Sequence, residues 1–292
     1  MSFNEKAQFF DPETLADRHL WAIPFDDDYA ALATELTSRI DQGFGFAVVV
    51  DVPMEDITPT EAQRLAVDML KNIGEPLLQG TIGDQTAGWL VRNEGVSRFD
   101  GDERYQPGVY TSKSPDHLDI HNDAAMQAYG NNPDYFALLT YRRAKHGGES
   151  ILVSSHAIYS ILSRENPKAL QRLMKPFAFE RQHVTHPGQE PVSWGPVFHR
   201  TQGKLRVRWN RQRIEMAPSL TGVPLTKNDL TALDAFEEVA CRPKIQFRYL
   251  LQKGECLVVN DHAVLHGRSG FVDGSEPHER RCLVRVLLKR KP

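Results

Sequence analysis

The 292-residue chain reads as a mainly β protein, a barrel or jelly roll with helices packed around it. Three observations predict this. Short runs after position 123, namely "YFALLTYR", "SILVSS", "KLRVRWN", "CLVVND" and "CLVRVLLK", have the apolar and β-branched composition of strands. Helical text interrupts them at about 157–174 and again at 226–240, which suits helices on the outside of a closed or folded-over sheet. No Pro-, Ser- or Gly-rich linker and no internal repeat divides the chain, so residues 1–292 read as one domain, long enough to bury a sizeable core.

Taken in order, residues about 28–41, "DYAALATELTSRID", form an amphipathic helix stopped by Gly43. "FAVVVDV", Phe46 to Val52, is a buried strand. A second helix follows with its own start signals: Thr58 caps it, Pro59 suits its first position, Glu61 completes a capping box, and Gly74 ends it. From Gly80 the text becomes rich in Gly, Asp, Ser and Pro. Long loops of this kind in a compact domain are functional or mobile, so residues 80–118, with Trp89, Arg92, Asn93 and Tyr110, are expected to form an active-site loop or lid. Gly147-Gly148 turns the chain into the strand opened by Ser150. In "LRVRWNRQRIEM", alternation sets Arg206 and Arg208 on a solvated face opposite Leu205, Val207 and Trp209, and leaves Arg211 and Arg213 as candidate anion contacts.

Composition excludes several classes. A net charge of −3 and the absence of a basic stripe give no footprint for nucleic acid or an anionic membrane surface. No run of 18 apolar residues spans a bilayer, and the polar start is unlike a signal peptide. Cys241, Cys256 and Cys282 are scattered, odd in number and without a CxxC pair, which fits a reducing cytoplasm better than a disulfide scaffold or a thiolate zinc site.

The chemistry begins at "LDIHND". If this stretch is extended, His121 and Asp123 project from one face and can converge on one ion. An HxD pair alone is equally compatible with solvated side chains, and two ligands seldom suffice. A third is available downstream in "CLVVNDHAVLHGRSGF", where His266 follows a strand and His262 competes four residues earlier. Two histidines and one carboxylate make a facial triad with open positions, the donor set of non-haem Fe(II) oxygenases. The remaining loop and strand histidines, His117, His146, His156, His183, His186 and His199, read as ordinary.

A second set of residues adds to this. On the late strand "RRCLVRVLLK", Arg281, Leu283, Arg285 and Leu287 share one face. Arginines on an otherwise apolar strand are costly to bury without anions, although an exposed cationic edge would look the same. Fifteen residues separate His266 from Arg281, enough for a hairpin that returns the arginine beside the metal ligand. A dianion chelating iron at one end calls for a fixed guanidinium at the other, because that fork matches a carboxylate.

The segments "HND" (121–123), "ALLTYRRAKHGGES" (137–150), "NDHAVLHGRSGF" (260–271) and "ERRCLVR" (279–285) together resemble the TauD/TfdA family, the taurine dioxygenase and clavaminate synthase-like Fe(II)/2-oxoglutarate oxygenases, in the correct order over roughly residues 40–290. The resemblance implies a double-stranded β-helix, a cupin-like jelly roll. It implies His121, Asp123 and His266 as catalytic iron ligands, and Arg281 paired with the distal carboxylate of 2-oxoglutarate. Arg285 would lie beside the substrate or help hold the cosubstrate. Ser150 stands where the family usually carries threonine, so the hydroxyl survives. Arg280 precedes Arg281 and leaves the register of the key arginine open by one, with strand parity favouring Arg281. The family often carries arginine at the position of His262, which favours His266 as ligand.

The implied reaction consumes 2-oxoglutarate and O2 and hydroxylates an unactivated C–H bond. Desaturation and ring closure depend on substrate pose and stay open, while halogenation is disfavoured because Asp123 is present. The expected substrate is a small polar anionic molecule such as an amino acid or derivative, free or tethered to a carrier protein. The competing classes are a metal-binding barrel of another kind, such as a zinc hydrolase, and a non-catalytic sensor or scaffold. Neither needs Ser150, Arg281 and Arg285.

Overall fold

The computed structural model describes residues 13–80, 84–97, 113–127, 130–181 and 188–291. Tyr110, His183, His186 and much of the expected lid lie outside these. The strands in chain order are β1 (Ala22–Pro24), β2 (Phe46–Val50), β3 (Glu75–Leu77), β4 (Gly88–Arg92), β5 (Leu118–His121), β6 (Tyr135–Arg142), β7 (His146–Gly147) and β8 (Ser150–Ser154). They continue with β9 (Pro176–Glu180), β10 (Val192–Pro196), β11 (Phe198–Thr201), β12 (Lys204–Val207), β13 (Gln246–Tyr249), β14 (Cys256–Asn260), β15 (Val264–Arg268), β16 (Phe271–Val272) and β17 (Cys282–Lys289). The helices are α1 (Tyr29–Gln42), α2 (Pro59–Leu70), α3 (Ser155–Glu165), α4 (Pro167–Leu173), α5 (Arg211–Met216), α6 (Pro218–Thr221) and α7 (Lys227–Ala240).

Two sheets carry the architecture. The larger runs β1-β2-β14-β6-β17, with β3 and β4 both paired to the far edge of β17. The smaller runs β13-β8-β15-β5 and is antiparallel throughout. Alternation decides what each face meets. Phe46, Val48, Phe136, Leu257, Val259, Leu283 and Leu287 of the larger sheet pack with Leu152, Phe247 and Val264 of the smaller one in a single core between them. The opposite faces are covered by helices. Ala47, Val49, Ala137, Val258 and Val284 meet α1 and α2, while Ile151, Val153 and Leu265 meet α3, α4 and α7. This is the jelly-roll arrangement with flanking helices expected from the sequence. Its sheets are hydrogen-bonded separately rather than closed into one barrel among the described residues.

Local signals explain most boundaries. Asp28 accepts from the amides of Ala30 and Ala31 to start α1, and Thr58 and Glu61 form the reciprocal box that starts α2. Four expectations need correction. Helix α2 stops at Leu70 with Lys71 as its cap. Gly74 does not end it; a Cβ there would lie 2.7 Å from the Lys289 carbonyl oxygen, so close approach to β17 is what requires glycine. The helical text at 157–174 is two helices, because Asn166 ends one and caps the next ahead of Pro167. Part of the expected lid is β4, fully paired with β17, and Trp89 and Val91 pack into the core between the sheets. Arg208 is not on a solvated face. It is 2% exposed and lies over the ring of Phe179, where it donates to the Ala125 carbonyl and to Ser193 Oγ. Strand β12 ends at Val207, so its alternation does not reach Arg208.

Candidate metal and cosubstrate site

His121 and His266 face each other across the β5–β15 ladder in direct register, their ring centroids 4.3 Å apart. Asp123 joins them by a different route from the extended pairing expected. The strand stops at His121, and Asn122 turns the chain. Its amide donates to the Trp209 carbonyl at 2.9 Å, its Oδ1 accepts from the Trp209 amide at 2.9 Å, and its Nδ2 donates to the Asp261 carbonyl at 2.5 Å. Clamped in this way, the turn presents the Asp123 carboxylate 3.9 Å from His121 Nε2. One ligand atom from each of His121, Asp123 and His266 lies within 4.8 Å of the others.

Their protonation states suit a dication. His121 Nδ1 lies 2.9 Å from the Asp119 carbonyl oxygen. A carbonyl only accepts, so Nδ1 carries the hydrogen and Nε2 keeps its lone pair. Burial pushes the His121 imidazole below its ordinary range, and burial followed by the neighbouring His121 pushes His266 well below it. Burial works to raise Asp123, but the charges of Arg285, His266 and His121 outweigh it and hold the carboxyl low. The second nitrogen of His266, Nδ1, is buried without a hydrogen bond, 3.7 Å from Asp261 Oδ1. Asp261 is pushed well above the usual carboxylate range by burial and by Asp123 beside it. Two neutral imidazoles and one charged carboxylate in a buried pocket are the donor chemistry of an Fe(II) site.

The same cavity contains Ser150, Arg268, Arg281 and Arg285, walled by Val91, Leu118, Phe136 and Leu138. Gly147 and Gly148 take φ of +71° and +81°, and a Cβ on Gly147 would stand 2.3 Å from the Gly270 carbonyl oxygen, so this turn requires glycine; it brings Gly148 against the Arg281 side chain. Arg281 is 4% exposed and lies 5.1 Å from the Phe271 ring centroid; its backbone amide donates to Asp273 Oδ1 at 2.7 Å, and the charge of Asp273 offsets only part of its burial. Its Nη1 makes no hydrogen bond, and burial pushes its pKa down to about 10. Such a group is costly to bury unless an anion completes it. Arg285 Nη1 sits 3.1 and 3.4 Å from the two oxygens of Asp123, while its Nε donates to Gln79 Oε1 at 2.8 Å. Arg280 is exposed and outside this cavity.

Several candidates lie elsewhere. His262 Nε2 meets Asp134 Oδ1 at 3.0 Å and does not join the donor cluster. Arg211 pairs with Glu215, Asp234 and Glu237, and Arg213 with Glu180, so both serve the protein's own carboxylates. His262→Ala is therefore expected to keep full iron binding. Its stability loss should be about 1 kcal/mol, since Asp134 is also held by Lys289 and the Arg290 amide; metal analysis and thermal melting check this.

Sequence reasoning missed Gln79, Asn122 and Arg268. Arg268 had a signal, because it shares the inward face of β15 with His266; its Nη2 donates to the Ser114 carbonyl at 2.9 Å and to that of Asp116. Gln79 and Asn122 had none, since neutral amides are unremarkable in text.

Comparison with known proteins agrees with this geometry. The family model described as "Taurine catabolism dioxygenase TauD, TfdA family" matches residues 15–287. FR-33289 synthase of Streptomyces rubellomurinus is 28% identical over 274 residues, covering 92% of this chain and 76% of its own. A uridine-5'-phosphate dioxygenase of an Amycolatopsis species is 26% identical over 294 residues, covering 98% and 97%. Among solved structures, asparagine oxygenase in complex with Fe(II), 2S,3S-3-hydroxyasparagine and succinate superposes with a TM-score of 0.63 at 15% identity, covering 92% of this chain and 93% of its own. The non-heme iron oxygenase OrfP in complex with Fe and alpha-ketoglutaric acid gives 0.62 at 15% identity, covering 92% and 94%.

Proposed function

The chain belongs to the taurine catabolism dioxygenase TauD, TfdA family, and on that premise we propose that His121, Asp123 and His266 hold the Fe(II) of a 2-oxoglutarate-dependent dioxygenase while Arg281 and Ser150 receive the distal carboxylate of the cosubstrate. One observation carries the assignment: a buried two-histidine, one-carboxylate cluster shares a cavity with a buried guanidinium whose Nη1 has no hydrogen-bond partner among the described residues. Bound together, Fe(II), 2-oxoglutarate and O2 supply the oxidising power, one oxygen atom passing to succinate as carbon dioxide leaves and the other to a substrate C–H bond.

The chain's own residues position and insulate this chemistry. The Asp119 carbonyl keeps His121 in the tautomer whose Nε2 is free to ligate. Arg281 presents a planar fork and Ser150 a hydroxyl from the facing strand, a combination that fits one carboxylate group. Arg285, oriented through Gln79 and paired with Asp123, adds a second guanidinium to the cavity, placed to meet an anionic group of cosubstrate or substrate. Phe136, Leu138, Val91 and Leu118 supply apolar wall around these groups, which lowers the local polarity and strengthens each of these contacts.

Hydroxylation of a small polar anion, an amino acid or a phosphorylated or otherwise acidic derivative, is the reaction we assign. Support comes from Arg268 and Arg285 in the cavity and from the substrates named for the relatives. We read residues 1–292 as one oxygenase domain, supported by a shared sheet in which β2 and β17 come from opposite ends of the chain. We place it in the cytoplasm, supported by three free cysteines; no helix among the described residues is long and apolar enough to cross a membrane.

The test is a panel of amino acids, sulfonates, phosphonates and nucleotides, scored by succinate release above the uncoupled background and by product mass. A gain of one oxygen atom on an anionic small molecule, lost in Arg285→Ala, is the expected result. Turnover only with an oligonucleotide or a folded protein would overturn the substrate class. Turnover only of a carrier-tethered amino acid would keep the chemistry and remove the free substrate.

A further inference from the structure

A second cavity of about 350 Å³ opens beside the first, lined by Pro59, Arg92, Asn93, Glu94, Arg142, Pro277, Arg280, Arg281 and Cys282. Among the described residues, Arg281 is the one that lines both. Register explains the convergence of charge. Cys282, at the start of β17, stands opposite Arg92 on β4 and opposite Arg142 on β6, so two arginines flank it from either side while Arg280 and Arg281 precede it. Among the described residues the cavity carries one carboxylate, Glu94, against four guanidiniums; it lies 3.8 Å from Arg92 and is closer to Lys113, at 2.9 Å. Arg280 has no side-chain partner among the described residues, and Arg142 has only the His278 carbonyl and the ring of Tyr141.

The protein as a whole is negatively charged, at −3, yet the reaction requires a dianion to enter and a dianion to leave. A concave surface of one sign focuses the field and raises the encounter rate of an oppositely charged ligand. We propose that this arginine-lined cavity is the antechamber for the dicarboxylates, capturing 2-oxoglutarate at Arg92, Arg142 and Arg280 and passing its distal carboxylate to Arg281, with succinate leaving by the same route. The inference rests on the assignment of Arg281 as the cosubstrate clamp. It assigns entry of the cosubstrate to a face distinct from the walls formed by Leu118, Phe136 and Leu138, which remain for the substrate.

The experiment is anaerobic stopped-flow mixing of the Fe(II) protein with 2-oxoglutarate, followed by the visible charge-transfer band at several ionic strengths. The variants are Arg280→Glu alone and the combination Arg92→Gln, Arg142→Gln and Arg280→Gln. Arg280 is exposed, so its single variant keeps the test intact if the combination folds poorly. The wild-type association rate should fall with added salt. The triple variant should bind about tenfold more slowly with a flattened salt slope, its dissociation rate changing less, and Arg280→Glu should lie between. Association rates and salt slopes that match the wild type in both variants would overturn the antechamber alone. A band that never forms in the wild type would overturn the cosubstrate assignment, and the antechamber with it.

Discussion

Replacing His266 by alanine is expected to abolish iron-dependent succinate formation and to leave purified protein without stoichiometric iron. The residue stands opposite His121 in the β5–β15 ladder, and the nearby Asp261 carboxyl, pushed well above the usual carboxylate range by burial and Asp123, is a poor replacement donor. His262 is four residues away in sequence but bonded to Asp134. Loss of a mere hydrogen-bonding partner of a ligand costs roughly 10- to 100-fold, and loss of one of only three protein ligands costs more. His121→Ala and Asp123→Ala should be equally inactive. Asp123→Ala also strands the Arg285 guanidinium, so it should lower the melting temperature more than His121→Ala does. Both imidazoles are depressed by burial and neutral at pH 7. Iron loss on acidification is therefore expected only below about pH 6.5, the ordinary histidine value. Metal analysis and succinate assays decide the matter; an inactive His262→Ala beside an active His266→Ala would reassign the third ligand.

Arg281→Lys is expected to weaken 2-oxoglutarate binding by ~2–5 kcal/mol, roughly 30-fold or more in affinity. An ammonium is one point charge and cannot reproduce the two-pronged contact of a guanidinium. The guanidinium also lies over the Phe271 ring, a contact that favours the planar group. Ser150→Ala should cost about 1 kcal/mol, and Ser150→Thr should be close to neutral because the hydroxyl remains. Titration of the anaerobic Fe(II) protein, read by its charge-transfer band, measures all three. An affinity unchanged in Arg281→Lys would move the clamp to Arg285, whose guanidinium already faces the same cavity.

Much of this was legible in the text. Strand alternation is a local property with a period of two, so it needs no knowledge of neighbours. It put Arg281, Leu283, Arg285 and Leu287 on one face and Cys282, Val284, Val286 and Leu288 on the other; the structure turns the first set toward the core and cavity and packs Val284, Val286 and Leu288 against the helices. The same reasoning gave the bounds of β6 and β17 without error. Capping chemistry is equally local and placed the start of α2 at Pro59.

What the sequence could not decide depends on partners distant along the chain. Asp123 reaches the donor cluster through the turn that Asn122 makes against Trp209, 87 residues away, rather than through strand alternation. Arg285 is oriented by Gln79 across 206 residues, and Arg268 anchors Ser114 across 154. Arg208 is buried against Phe179 because β12 ends one residue before it, and a polar pocket from Ala125 and Ser193 satisfies its donors. Strand β4, "GWLVR", lay hidden because so short a run is outweighed by the Gly- and Asp-rich text around it, and pairing with β17 is what fixes it. The sequence by itself determined which donors and cations this protein carries on which strand faces, since periodicity and capping are encoded within a few residues. Only the tertiary structure decided which of them converge and which amides aim them, because a buried polar group is satisfied by whatever the fold brings within hydrogen-bonding distance.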